Sequence, residues 1–93
     1  MPGEAYEWHE AKRLRNVEWH GIDFVDAAEV FEGVYLDRPA KEVDGEKRRA
    51  ATGLLQGRFV TVIYVLRGEA IRLISARRAR DHERRDYEAL FDR

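Results

Sequence analysis

Apolar residues recur along this chain at two different spacings, and the change from one to the other divides it. Phe24, Ala27, Ala28 and Phe31 fall at i, i+3, i+4 and i+7, the repeat of a helix with one buried face. Asp23 precedes the series as an N-cap, Asp26 adds negative charge to the first turn, and Gly33 closes it. An earlier helix is predicted over Glu10–His20 and ends at Gly21, because glycine accepts the left-handed backbone just past a helix without a Cβ penalty. Tyr6–Trp8 reads as a short strand before it. Val34–Asp37 reads as another, followed by a polar loop over Arg38–Gly45 that holds Pro39 and the turn pair Asp44-Gly45.

From there the helical repeat is lost. Arg49–Leu55 fits a strand without excluding other readings, Gln56-Gly57 is a turn, and Phe59–Leu66 is a run of β-branched and aromatic residues. Around Gly68-Glu69 the segment Ala70–Arg77 pairs back on it as an antiparallel hairpin. An unbroken register sets Tyr64 opposite Leu73, Leu66 opposite Ile71 and Val60 opposite Arg77, with Ile63 beside Ile74 and Val65 beside Arg72 on the other face. Apolar residues on both faces call for cover on both. A last helix starts near Asp81, with Tyr87, Leu90 and Phe91 as its expected buried stripe.

The pattern yields one α+β domain over residues 1–93, a small antiparallel sheet packed with two N-terminal helices and one C-terminal helix. With 44% hydrophobic residues and ten aromatic ones, the chain has the composition of a folded domain. It has no cysteine, which removes disulfides, thiol nucleophiles and Cys-ligated metals. Its longest apolar run is too short to span a bilayer, so a soluble cytoplasmic protein is expected, with no membrane contact.

The net charge of −1 conceals an asymmetry. Residues 1–46 hold twelve acids and five bases, and residues 47–93 hold twelve bases and six acids, so the halves carry −7 and +6. The basic half contains Arg72–Ala79, RLISARRA, which joins an apolar strand to a cluster of permanent cations. Arginine offers a planar fork of N–H donors that matches phosphate oxygens, and a strand holds it rigidly. Arg67 and Arg77 flank apolar strands and are candidates for a phosphate-rich partner such as RNA. Arg78, Arg80, Arg84 and Arg85 read instead as a coat on the last helix or as partners for the acidic half.

Other chemistries find little support. His9, His20 and His82 match no zinc-ligand spacing, so no metal site is expected. Ser75, the single serine, lies within a strand and not on a nucleophile elbow. The glycines form no phosphate-cradling loop, and no cofactor is expected. His20 ends a helix, where it serves either proton transfer or the helix dipole. Lys12 is either a phosphate contact or a solvated helical lysine. Tyr64 and Tyr87 are suited to base stacking or phosphate contact, and equally to a core.

The opening YEWHEAK with Asn16 and WHG, the helix IDFVDAAEVF, the segment GEKR followed by Gly53, the strand ending in Tyr64 and Arg67, and RLISARRA with Glu83, Arg84 and Tyr87 occur in this order from about Tyr6 to Tyr87. In that order and spacing the chain resembles the BrnT toxins of bacterial type II toxin–antitoxin systems. The resemblance implies a fold similar to RelE ribonucleases and a metal-independent endoribonuclease that inhibits translation. It also implies neutralisation by a BrnA-type antitoxin, through which alone the toxin meets DNA. It makes Lys12, His20, Arg67, Arg77 and Tyr87 the site candidates, with the two arginines on phosphate and His20 or Tyr87 in proton transfer. His9 departs from the family's aspartate at the helix start, and Trp19 from its lysine before His-Gly. A noncatalytic module that binds RNA or a protein through the same basic face stands as the alternative.

Overall fold

The computed structural model describes residues 5–91. In chain order these form β1 (Ala5–Glu7), α1 (Glu10–His20), α2 (Phe24–Ala27), a 3-10 segment (Ala28–Glu32), β2 (Tyr35–Pro39), β3 (Arg49–Leu55), β4 (Arg58–Arg67), β5 (Ala70–Arg78) and α3 (Asp81–Phe91). The strands make one sheet in the order β1-β5-β4-β3-β2. The α+β class holds, but the expected antiparallel sheet is mixed: Ala5, Tyr6 and Glu7 run parallel to Ala70, Ile71 and Arg72. A hairpin turn fixes an antiparallel direction, whereas β1 and β5 are joined through all the intervening elements, a connection long enough for parallel pairing.

Asp44 and Gly45, and likewise Gln56 and Gly57, have positive φ at both turn positions, the backbone that matches the twist of tight hairpins. The helices depart further from expectation. The second is α-helical for only four residues before tightening to 3-10 winding, which carries Val30 fully into the core. On α3 the buried residues are Glu83 and Tyr87, one turn apart, while Leu90 and Phe91 remain exposed.

Strand alternation gives the sheet two unlike faces. The inner face presents Ala51, Leu55, Val60, Val62, Tyr64, Ile71, Leu73 and Ala76 to Phe24, Ala27 and Val30, which together form the core. Gly53 lets the 3-10 segment sit this close, since a Cβ there would lie 3.1 Å from Val30 Cγ1 and 3.2 Å from the Val34 carbonyl oxygen. The outer face is covered in part by α3.

One irregularity decides what the outer face carries. Between Ile63 and Tyr64 the β4–β5 register shifts, so that Tyr64 faces Leu73 but Ile63 faces Ser75, and Ile74 is the extra residue of a bulge. Near the hairpin turn the expected pairs Tyr64–Leu73, Leu66–Ile71 and Val65–Arg72 are present. Past the bulge the register moves by one, and Arg77 lies opposite Thr61 in place of Val60. A slip of one residue exchanges the faces, so Arg77 leaves the core side and joins Arg67 and Arg72 on the outer face.

α1 closes the edge of β5 that β1 leaves bare. Asn16 is buried and pairs with the strand as a neighbouring backbone would: its Nδ2 donates to the Ala76 carbonyl at 2.8 Å, and its Oδ1 accepts from the Ala76 N–H at 3.1 Å. The same Nδ2 donates to the Ile22 carbonyl at 2.8 Å. His9 stands at the N-cap of α1 and makes no side-chain capping bond. Asn16→Ala strands both backbone groups of Ala76, and we expect a loss of about 3 kcal/mol on the scale of buried unsatisfied donors and acceptors. Urea unfolding checks this, with the midpoint lowered and the slope unchanged.

Candidate nucleic-acid interface

Positive charge collects where α3 stops covering the outer face. Arg38, Ala50, Ile63 and Ser75 are successive register partners across β2, β3, β4 and β5. Three ordinary strand spacings make this row roughly 14 Å long. Over Ala50 and Ile63 lies a groove of about 480 Å³ between the β2–β3 connection and the start of α3. Its walls carry Arg38, Lys41, Arg48, Arg77 and Arg80, and among the described residues Glu83 is the only carboxylate that lines it. An elongated anion along the row would meet cations from three separate segments of chain.

Arg77 is the most firmly held of them. Its Nη1 and Nη2 donate to Glu83 Oε1 and Oε2 at 2.8 and 3.0 Å, a two-pronged pair with the arginine side chain 19% exposed and the carboxylate 6%. Glu83 Oε1 also accepts from the Arg80 backbone N–H at 2.7 Å and from Thr61 Oγ1 at 3.0 Å. The Arg80 contact is the half of a capping box in which a carboxylate in the first turn reaches back to the N-cap amide. Thr61 has one proton and gives it to Glu83, so the 2.7 Å contact between the Thr52 and Thr61 hydroxyls is donated by Thr52. Burial alone would raise the Glu83 carboxyl, but the donors from Arg77, Arg80 and Thr61 outweigh it and hold the group down at about 2.

The other cations are held more loosely. Arg38 Nη2 lies 2.9 Å from Asp86. Arg48 approaches Glu46 at 3.5 Å, and its buried Nε has no hydrogen-bond partner among the described residues. Arg67 is exposed at the turn end of the hairpin, 3.6 Å from the same Glu46. Arg72 lies 3.7 Å from Glu7. Among the residues singled out in the sequence, Arg67 and Arg77 therefore share one face but stand at opposite ends of the hairpin.

Lys12 and His20 come together elsewhere, in a shallow depression between α1 and β5 that Ser75 also lines. Ser75 is the last member of the row that starts at Arg38, so this depression and the groove lie along one line of the sheet. Tyr87 is buried between Phe59 and Phe91, with ring centroids at 5.3 and 4.9 Å, and its hydroxyl donates to the Val34 carbonyl at 3.4 Å. Tyr64 is a core residue whose hydroxyl donates to Asp37 at 2.7 Å, and burial followed by that hydrogen bond pushes it well above the ordinary tyrosine range.

Arg38 and Arg48 were not singled out in the sequence, although Arg48 belongs to the GEKR segment and Arg38 adjoins Pro39 in what reads as a polar loop. The burial of Glu83 has a local signal, its place three residues after Arg80 at the start of a helix. Among the described residues no three His, Asp or Glu side chains group as metal ligands, and no helix is long and apolar enough to cross a membrane.

A sequence model of the family described as the ribonuclease toxin BrnT of type II toxin–antitoxin systems matches residues 8–83. Among solved structures, the chain is similar to the Brucella abortus ribonuclease toxin BrnT, with a TM-score of 0.62 and 28% identity over 84% of this chain and 97% of that one. No curated protein matches.

Removing the Glu83 charge leaves Arg77 without its partner, and Glu83→Gln is expected to lower stability at pH 7 on the order of 3 kcal/mol. Because the folded carboxyl sits below its ordinary 4.5, its contribution is complete above that pH and fades as pH falls toward 2. Denaturant titrations across this window should show the unaltered chain and the variant converging in acid.

Proposed function

Because the chain belongs to the BrnT family of ribonuclease toxins of type II toxin–antitoxin systems, we propose that it is an endoribonuclease that cleaves RNA and thereby inhibits translation. A BrnA-like antitoxin neutralises it in the cytoplasm and provides its only connection to DNA. The observation that carries this reading is the cationic groove on the outer face, built around an arginine that is fixed in place before any ligand arrives. We read the α+β fold as RelE-like and the reaction as metal-independent, with arginine in the role that a metal ion plays elsewhere.

In that reaction a base takes the proton of a ribose 2′-hydroxyl, and the freed oxygen attacks the neighbouring phosphorus. The bond from phosphorus to the 5′-oxygen then breaks, and an acid protonates the departing oxygen. Arg77 and Arg67 bind the phosphate chain, and the bidentate hold of Glu83 on Arg77 keeps that cation from turning away as charge builds up on the phosphoryl oxygens. Lys12 extends the cationic path beside α1. Of the two proton-transfer candidates we favour His20, which is exposed, over Tyr87, whose hydroxyl is buried and engaged with Val34. That both prongs of Arg77 are already occupied also favours a second reading, in which the same face binds RNA without cutting it.

Arg67→Ala separates the two. Arg67 is exposed and only loosely paired, so its removal should leave the unfolding temperature unchanged while cleavage of an end-labelled RNA by antitoxin-free protein in EDTA falls 10- to 100-fold. Inducible expression in bacteria should arrest growth with RNA fragmentation, relieved by co-expression of the neighbouring gene product. Intact RNA at every salt concentration tested would remove the catalytic reading.

A further inference from the structure

Lys12, Arg15, Asn16, Trp19 and His20 recur at i, i+3, i+4, i+7 and i+8, which puts all five on one face of α1. Asn16 fixes that face against Ala76 of β5, so the stripe has a set orientation toward the sheet. A depression of about 230 Å³ opens between it and Ile74 and Ser75. Lys12 and Arg15 line this depression with positive charge, and among the described residues no carboxylate does. Trp19 is 69% exposed beside it, with the Arg15 guanidinium over its ring at 5.9 Å. An isolated exposed apolar side chain is ordinary. A tryptophan held by a cation on one side, on a rigid helix, next to a depression lined by cations and without acid, is a different object.

We propose that Trp19 is a stacking platform for an unpaired nucleobase, and that the RNA read by this protein is single-stranded where it crosses α1. An indole is a wide, flat π surface on which any base can lie, and arginine and lysine beside it receive the phosphates on either side of that base. The bases of a duplex are already stacked on one another and cannot reach such a surface without being pulled out. The path is continuous: Ser75 lines the depression and pairs with Ile63, which floors the groove of Arg38, Arg48 and Arg77. A strand with one base on Trp19 would run along the row of Ser75, Ile63 and Ala50 with its phosphates toward the arginines. Trp19 is therefore a specificity-determining residue, selecting unpaired over paired RNA. This inference rests on the RNA-directed reading of the outer face.

Tryptophan fluorescence gives a direct test, because the chain has one other tryptophan, Trp8, which packs against Phe24 at 6.1 Å. In a Trp8→Phe background, Trp19 emission is followed during titration with a 2′-O-methyl oligoribonucleotide, which lacks the nucleophilic hydroxyl and is not cut. The same strand annealed to its complement, and inorganic polyphosphate, serve as comparisons. Single strand should quench Trp19, while duplex and polyphosphate should not. Trp19→Ala should weaken single-strand binding roughly tenfold, and Trp19→Phe should keep most of it. Should Trp8→Phe fold poorly, the difference between the unaltered chain and Trp19→Phe isolates the same signal. Single-strand binding with Trp19 emission unchanged and Trp19→Ala equally tight would overturn the platform while leaving the RNA reading intact. No binding or cleavage of any RNA by the unaltered chain would overturn both. Loss of neutralisation by the antitoxin in Trp19→Ala, with RNA affinity unchanged, would assign the indole to a protein contact and equally defeat the proposal.

Discussion

The extra residue at Ile74 is the constraint on which the functional surface depends. In a strand, residues five apart point to opposite faces, and without an irregularity Arg72 and Arg77 would do so. The bulge adds one position between them and brings them to the same side. Without it, Arg77 would direct a guanidinium into the layer formed by Val60, Val62 and Phe24, and Ala76, which packs in that layer, would point outward. A bulge costs the sheet one unpaired position. It returns a core free of charge and an outer face on which separated arginines act together.

Glu83 turns that placement into a fixed geometry. A guanidinium on a strand still has four rotatable bonds, and leaving it unrestrained would scatter its charge over several ångströms. The carboxylate restrains Arg77 through two hydrogen bonds and is itself held by Thr61 and by the backbone of Arg80. One buried acid therefore joins β4, β5 and the start of α3 at the edge of the groove. Isolated burial of that acid would be costly, so the arrangement functions only as a complete network, and its members are not separable contributions.

Much of this was readable in the sequence because local chemistry dictates it. The left-handed turn at Gly21, the Asp-Gly and Gln-Gly hairpin turns, the β-branched run of β4 and the capping Asp23 all express short-range rules, and the resemblance to the family ran from about Tyr6 to Tyr87. The bulge was not readable, because no residue type enforces it. Ile74 suits a regular strand equally well, and the offset shows only in how β4 and β5 pair. The direction of β1 and the contribution of Arg38 and Arg48 to the groove depend on tertiary approach in the same way. The split between an acidic and a basic half proved a partial guide. Arg49 pairs with Asp37, Arg67 with Glu46 and Arg72 with Glu7, so folding interleaves the halves, and the groove is where bases outnumber their partners.

The Asn16 clasp on Ala76 bears on the solution behaviour of the molecule. β5 has nine residues and β1 covers three of them, which would leave a long bare row of amides and carbonyls. Such an edge invites a strand from another molecule, the first step of sheet-to-sheet aggregation. Here a helix stands over the opening, and its one buried amide occupies the groups an incoming strand would need first. An intruding chain would have to displace α1 and break the three hydrogen bonds that Asn16 makes. A single polar side chain thus ties the folding of the N-terminal helix to the colloidal safety of the sheet.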